Sequence, residues 1–234
     1  MEQDRTRYVR FPPEADISVV LDRPTEKCQS AMAAGGPMQT KLMSSTDLGW
    51  ATDVLVDAFD GHPPGLQLFR APDAANKLRY FMERTCKYAL MFGECYAPED
   101  KTGVALWLLP NATQMTPWRM FRAGMFTAPF HLGLRDFKAF GAFAKHTDQA
   151  HREALPEPHY YLFALGVRTN SQGRGVGKQL VAGMLERASR EAKPIYLETQ
   201  SPENVGLYER LGFDVVSDEP IPGLELRNWG MVRR

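Results

Sequence analysis

Apolar residues recur along this chain with two different periods, and the switches between them mark out its elements. Leu48, Leu55, Val56 and Phe59 stand at helical spacing between a Ser45 or Thr46 N-cap and Gly61, which predicts a helix within residues 44–61. A second helix follows Pro72, with Leu78, Phe81, Met82, Cys86, Ala89 and Leu90 on its apolar face. Residues 94–97 and 104–109 read as the strands of a hairpin joined by the turn sequence PEDKTG, and residues 38–43 as an edge strand before the first helix. The strongly β-forming HYYLFALGV (159–167) precedes a glycine-rich loop and a helix with Val176, Leu180, Met184, Leu185 and Ala188 on one side. Strand (194–199), short helix (202–211), strand (212–219) and a last strand near 224–234 complete the C-terminal half.

Two stretches depart from this rhythm. Residues 1–36 have mixed polarity, with Pro12, Pro13, Pro24 and AAGG at 33–36; apart from a possible short strand at 16–21 they read as an N-terminal extension. Residues 110–157 form a long aromatic-rich insertion, predicted as two helices, the second over about 132–155. The expected organisation is therefore an extension (1–36) and one mixed α/β domain (37–234) that carries the helical insertion.

Composition narrows the classes. Of the 234 residues 44% are hydrophobic and 24% charged, ordinary for a globular chain with a real core. Lys plus Arg and Asp plus Glu both number 28, so bulk charge points to neither a nucleic-acid nor a membrane-surface partner. Cys28, Cys86 and Cys95 lack metal-type spacing and read as reduced thiols of a cytoplasmic protein, with Cys86 buried on its helix. No apolar run approaches the roughly 18 residues of a membrane span, and the N-terminal segment lacks an apolar signal core. His146 and His151 stand five apart rather than four, so no metal site is expected from them.

The chemistry-bearing stretch is SQGRGVGKQL (171–180), glycine-rich and directly before a helix, where unpaired N–H groups favour phosphate. A P-loop fails twice, because Gln172 replaces its first glycine and Gln179 its metal-binding hydroxyl. A dinucleotide fingerprint fails because Lys178 occupies the third glycine's place and RTNSQ separates strand from loop. The pattern Q/R-x-x-G-x-G/A is met in full by Gln172 through Gly177. It is the pyrophosphate loop of the GNAT acetyltransferase superfamily, which this chain resembles. LGVRTNSQGRGVG matches that family's strand-to-loop segment. LETQSPENVGLYERLGFDVV, about 30 residues on, resembles its second hallmark, and the overall pattern is most similar to the puromycin N-acetyltransferase type.

The resemblance implies the GNAT acyl-CoA N-acyltransferase fold: a mixed, mostly antiparallel sheet of about six to seven strands flanked by helices and splayed at its two central strands. It implies acetyl-CoA as cosubstrate and no metal. It places Gln172, Gly173, Arg174, Gly175, Val176, Gly177 and Lys178 at the pyrophosphate, with backbone groups of Leu165 and Val167 and the side chain of Asn204 on the pantetheine arm. Tyr208 resembles the general acid. Glu198 is the first candidate for the base, with His159 or a water chain as alternatives. The expected acceptor is the primary amine of a small molecule, in a pocket walled by Trp107, Trp118, Phe121, Met125, Phe126, Phe130, Phe137, Phe140 and Phe143. Two other readings stand beside it: a protein or peptide acetyltransferase, and a catalytically silent acyl-CoA-binding module. The chain is expected to be a monomer or homodimer.

Overall fold

The structure, a computed structural model, describes residues 39–69 and 73–234. The extension, its expected strand at 16–21 and Cys28 lie outside the described residues. Seven strands form one sheet: β1 (Thr40–Leu42), β2 (Gly93–Pro98), β3 (Gly103–Leu108), β4 (Tyr160–Val167), β5 (Ile195–Thr199), β6 (Asp214–Pro220) and β7 (Arg227–Arg233), in the order β1-β2-β3-β4-β5-β7-β6. Every neighbouring pair is antiparallel except β4 and β5. That parallel pair is joined by the crossover helix α6 (Val176–Arg190), as a parallel connection requires.

The helices divide between the two faces. On one lie α1 (Leu48–Phe59), α3 (Ala74–Phe92) and α5 (Ala128–Ala154), over Val104, Leu106 and Leu108 of β3. On the other, α6 and α7 (Pro202–Glu209) cover Ala105, Trp107, Tyr160, Leu162, Ile195, Leu197 and Met231. This division follows from the period of two: alternate residues of β3, β4 and β5 feed opposite cores. Cys86 and Cys95 are free and buried in the first core, and burial pushes the Cys86 thiol up to about 12.

Local chemistry sets the ends of the elements. Ser44, rather than Ser45 or Thr46, forms the capping box with Asp47, because a 3-10 turn (Ser45–Asp47) precedes α1. The loop expected after α1 contains a further short helix, α2 (Pro63–Leu68), with proline in its first turn. In the insertion, α4 (Pro117–Arg122) is capped by Thr116, whose hydroxyl accepts the Arg119 N–H. α5 is broken at Gly133 (φ 76°, ψ 158°), one residue after the expected helix start. A buried ion pair, Lys77 to Asp136 at 2.7 Å, fastens α5 to α3. The outer strand β6 is exposed along most of its length, and Asp214, Asp218 and Glu219 guard that edge against further pairing.

Candidate active site

The central strands part where the family resemblance implies they should. β4 and β5 pair only from Tyr160–Ile195 to Leu162–Leu197. Beyond that point β4 stays on β3 as far as Val167, while Glu198 and Thr199 of β5 pair only with Gly230 and Trp229 of β7. The Arg168 N–H donates to the Thr102 carbonyl at 2.8 Å, which makes Val167–Gly103 a non-hydrogen-bonded pair of the antiparallel ladder. Val167, and Leu165 two residues back, therefore turn their own N–H and C=O groups away from β3 into the gap. An extended ligand arm laid there would be bonded like an added strand.

The glycine loop closes one end of this gap. Gly173 and Gly175 both have positive φ (73° and 78°), and Gly175 is the N-cap of α6. A side chain at either would force the left-handed region. The Gln179 N–H returns to the Gly175 carbonyl at 3.1 Å, so the N–H groups of Val176, Gly177 and Lys178 ahead of it point out of the helix end. Arg174 and Lys178 are exposed beside them. Gln172 turns inward: its Nε2 donates to the Val167 carbonyl at 3.1 Å and ties the loop to the end of β4. Asp57 of α1 holds the same segment from outside by accepting the Thr169 N–H at 2.8 Å.

Tyr208 and Glu198 lie on opposite faces of the sheet, because Glu198 alternates with Leu197, whose core includes Tyr208. Tyr208 is 8% exposed, its ring set edge-on to Phe213 at 5.9 Å, and its hydroxyl makes no hydrogen bond among the described residues. Burial pushes it up to about 12, so it stays a protonated donor at neutral pH. Asn204, one turn earlier on α7, donates Nδ2 to Thr199 Oγ1 at 3.4 Å and so faces the end of β5.

On the other face, protein packed around Glu198 pushes its carboxyl up to about 8; the nearby Asp148 carboxylate adds to this, and the hydrogen bond from Tyr161 opposes it. The Tyr161 hydroxyl donates to Glu198 Oε1 at 3.2 Å. His159 does not compete for the role of base. Its Nδ1 lies 2.5 Å from the Glu157 carbonyl, which can only accept, so the proton sits on Nδ1. Its Nε2 then accepts from His151 Nε2–H at 2.7 Å, and both ring nitrogens are committed. His151 is stacked on Tyr196 (4.2 Å, 4°), and burial drives it down to about 3 and keeps it neutral. On the same face, Tyr196 Oη and Asn228 Nδ2 are buried without a hydrogen-bond partner among the described residues. Asn228 is 1% exposed, and its Oδ1 accepts from Gln200 Nε2 at 2.6 Å.

The aromatic residues of the insertion do not form the enclosed wall that the sequence suggested. Phe137, Phe140 and Phe143 pack into the α1–α3 core, and Trp107 lies in the core beneath α6, on the opposite face from Glu198. Trp118, Phe121, Phe126 and Phe130 point to solvent, 54–89% exposed. The physical reason is that the segment has one apolar side to spend on α3: Ala123, Ala128 and Leu132 fill that core, and Trp118, Phe121, Phe126 and Phe130 fall on the other side. What sequence reading missed was the polar set Tyr161, Tyr196, His151 and Asn228. Alternation along HYYLFALGV puts Tyr161 opposite Leu162, but only the β4–β5 register sets it beside Glu198.

Comparison with known proteins agrees with this geometry. Residues 111–213 match the acetyltransferase (GNAT) family. Over 183 residues the chain is 27% identical to an uncharacterized N-acetyltransferase of Schizosaccharomyces pombe, covering 75% of this chain and 74% of that one. A crystal structure described as histone acetyltransferase HPA2 and related acetyltransferase from Corynebacterium glutamicum superposes with a TM-score of 0.61 at 25% identity, over 85% of this chain and 96% of the other. The Drosophila melanogaster polyamine N acetyltransferase, which forms N acetylagmatine, shares the fold at a TM-score of 0.55 and 13% identity, over 83% and 98%. The splayed seven-stranded sheet with its glycine loop is the GNAT fold. The chain is an N-acetyltransferase with the GNAT fold, and the GNAT family that residues 111–213 match uses acetyl-CoA as cosubstrate.

Proposed function

We propose that this enzyme acetylates the primary amine of a small molecule by direct attack in a ternary complex, with Glu198 as base and Tyr208 as acid. The observation that carries the reading is the β4–β5 gap, with the glycine loop at its end and these two side chains on either face. The residues present fit acetyl-CoA: outward N–H groups at the start of α6 suit the pyrophosphate, and the backbone of Leu165 and the N–H of Val167, turned away from β3, suit the pantetheine arm. Bound there, the cosubstrate supplies an acetyl thioester. The Val167 N–H would polarise its carbonyl, and Asn204 would hold the arm. Glu198 would take one proton from the bound ammonium, directly or through water, leaving the neutral amine to attack. As the new N–C bond forms and the C–S bond breaks, Tyr208 would give its hydroxyl proton to the sulfur, and the second N–H proton lost on the way to the amide would pass to solvent, from which Tyr208 is reprotonated.

A desolvated carboxyl under α5 suits a small acceptor better than a folded protein. The unpartnered donors of Tyr196 and Asn228 suit one that also carries a hydrogen-bond acceptor. The pattern shared with the puromycin N-acetyltransferase type supports the same class. The test is thiol release from acetyl-CoA across arylalkylamines, polyamines, amino-acid amines and basic peptides. Turnover of small amines is expected; turnover of peptides alone would overturn the reading, and tight cosubstrate binding without any turnover would favour the silent binding module.

The loop has its own test in Gly177→Ala. A Cβ at Gly177 would meet Leu165 Cδ2 at 3.6 Å and Val167 Cγ2 at 3.7 Å, ordinary contacts. The folded protein should therefore keep its stability or gain about 0.5–1 kcal/mol from better helix propensity. If the pyrophosphate lies against this turn, the added methyl would crowd its approach, and KM for acetyl-CoA is expected to rise about tenfold or more, the equivalent of one displaced hydrogen bond. An unchanged KM would remove Gly177 from the cradle.

A further inference from the structure

We propose that the outward side of residues 118–145 docks the enzyme on an anionic lipid surface. Six large apolar residues crowd this short stretch at 37–89% exposure: Trp118, Met120, Phe121, Phe126, Phe130 and Leu134. They are contiguous where ring contacts join them, Trp118 on Phe121 at 5.9 Å and Phe121 on Phe126 at 5.1 Å, both stacked. The core beneath is already filled by Met115, Met125 and the phenylalanines of α5, so the exposed set is surplus to folding.

Charge selects the occupant. Residues 111–147 carry five basic side chains and one acid, Asp136, which is buried and paired with Lys77. Arg119 is used internally, donating to the Gln114 and Asn111 carbonyls. Arg122, Arg135, Lys138 and Lys145 are exposed and form no ion pair among the described residues. Leu134, Lys138 and Lys145 stand at i, i+4 and i+11, one stripe of α5. Lys87 of α3 lies beside Gly124 and adds to the positive field, while Arg84 next to it is paired with Glu83 at 3.3 Å. The zero net charge of the whole chain averages over this local excess. Two copies meeting through this face would set Arg122, Arg135, Lys138 and Lys145 against one another, and the acid beside them, Glu83, is already paired with Arg84. A nucleic acid would want hydrogen-bonding side chains between the cations, where this face offers Phe130 and Leu134. Aromatic and aliphatic side chains ringed by unpaired Lys and Arg are the chemistry of an interfacial helix at anionic headgroups.

The experiment is co-sedimentation of the full chain with vesicles of phosphatidylcholine containing phosphatidylserine, against phosphatidylcholine alone. Binding is expected to the first only, and to weaken as salt is raised. Lys138→Glu/Lys145→Glu should lower the partition coefficient by more than about tenfold, at roughly a factor of five for each charge near the surface. Phe121→Ser/Phe130→Ser should lower it by a similar factor, with thiol release and thermal melting unchanged in both variants. Equal binding to both vesicle types, or binding indifferent to both variants, would overturn the proposal. So would a concentration-dependent dimer that the phenylalanine variant dissolves without any vesicle binding, or tighter binding to a single-stranded RNA oligomer than to the vesicles.

Discussion

Tyr208→Phe is expected to lower kcat by about 10²–10³, the usual contribution of a positioned general acid, while KM for acetyl-CoA stays within about twofold. The variant keeps the ring against Phe213 and removes only a hydroxyl that makes no hydrogen bond among the described residues. Its thermal stability should therefore stay within about 0.5 kcal/mol of the parent. The two readouts separate catalysis from packing. A tyrosine kept only for the core would leave kcat unchanged, and that result would remove Tyr208 from the mechanism. Steady-state thiol release with a saturating amine, together with a melting curve, measures both.

Glu198→Gln is expected to lower kcat/KM by about 10² and to change how both rate and stability depend on pH. In the free enzyme the carboxyl is pushed up to about 8, chiefly by burial, so the basic form is lost as pH falls through 8. The parent's kcat/KM should fall on that acid limb, and the glutamine variant should lose the limb. Tyr161→Phe removes the hydrogen bond that opposes the shift, so the limb should move to higher pH. The stability effect has a definite sign. An acid whose folded pKa is raised binds protons more tightly when folded, so its contribution is full below about 4.5 and lost as pH rises through about 8. Glutamine carries no such loss. The variant should be more stable than the parent by about 1–3 kcal/mol at pH 9, discounted for the water that reaches a half-buried group, and equal to it at pH 4. A parallel pair of stability curves across that range would show that Glu198 is not held in a desolvated site.

Much of the site could be read along the chain because its parts are local. The glycine loop is one hexapeptide between a β-forming run and an amphipathic helix, and Gly173 and Gly175 take the left-handed conformations that make glycine necessary. Asn204 and Tyr208 lie four apart on one short helix, so one local element carries both. The hairpin, the crossover helix α6 and the final strands are likewise decided by periodicity and turn residues. The side-chain cap expected at Ser45 or Thr46 falls on Ser44, which caps the 3-10 turn ahead of α1, and α2 was missed, because a single 3-10 turn and a proline-started helix leave little periodic signal.

The insertion shows where local pattern stops. Nine aromatic or methionine side chains suggested an acceptor wall, yet hydrophobicity alone does not say which way a side chain points. Packing on α3, with Ala123, Ala128 and Leu132 in the core, set Phe137, Phe140 and Phe143 inward and Trp118, Phe121, Phe126 and Phe130 outward. His151 and His159, eight apart and on different elements, meet at 2.7 Å only because α5 runs back along β4 and β5.

The sequence by itself determined most of the order of elements, and it proposed a cradle at 172–178, a base at the end of β5 and an acid on α7. Each of these rests on residues within about a turn or a strand of one another, where spacing is geometry. The tertiary structure alone decided the rest: that the β4–β5 pairing stops at Leu162 and Leu197, that Glu198 and Tyr208 face opposite sides of the gap, and that Tyr161 rather than His159 attends the carboxylate. Those facts depend on register between strands more than thirty residues apart. Register is set by how two cores fill on opposite faces of one sheet, which no local window of the chain contains.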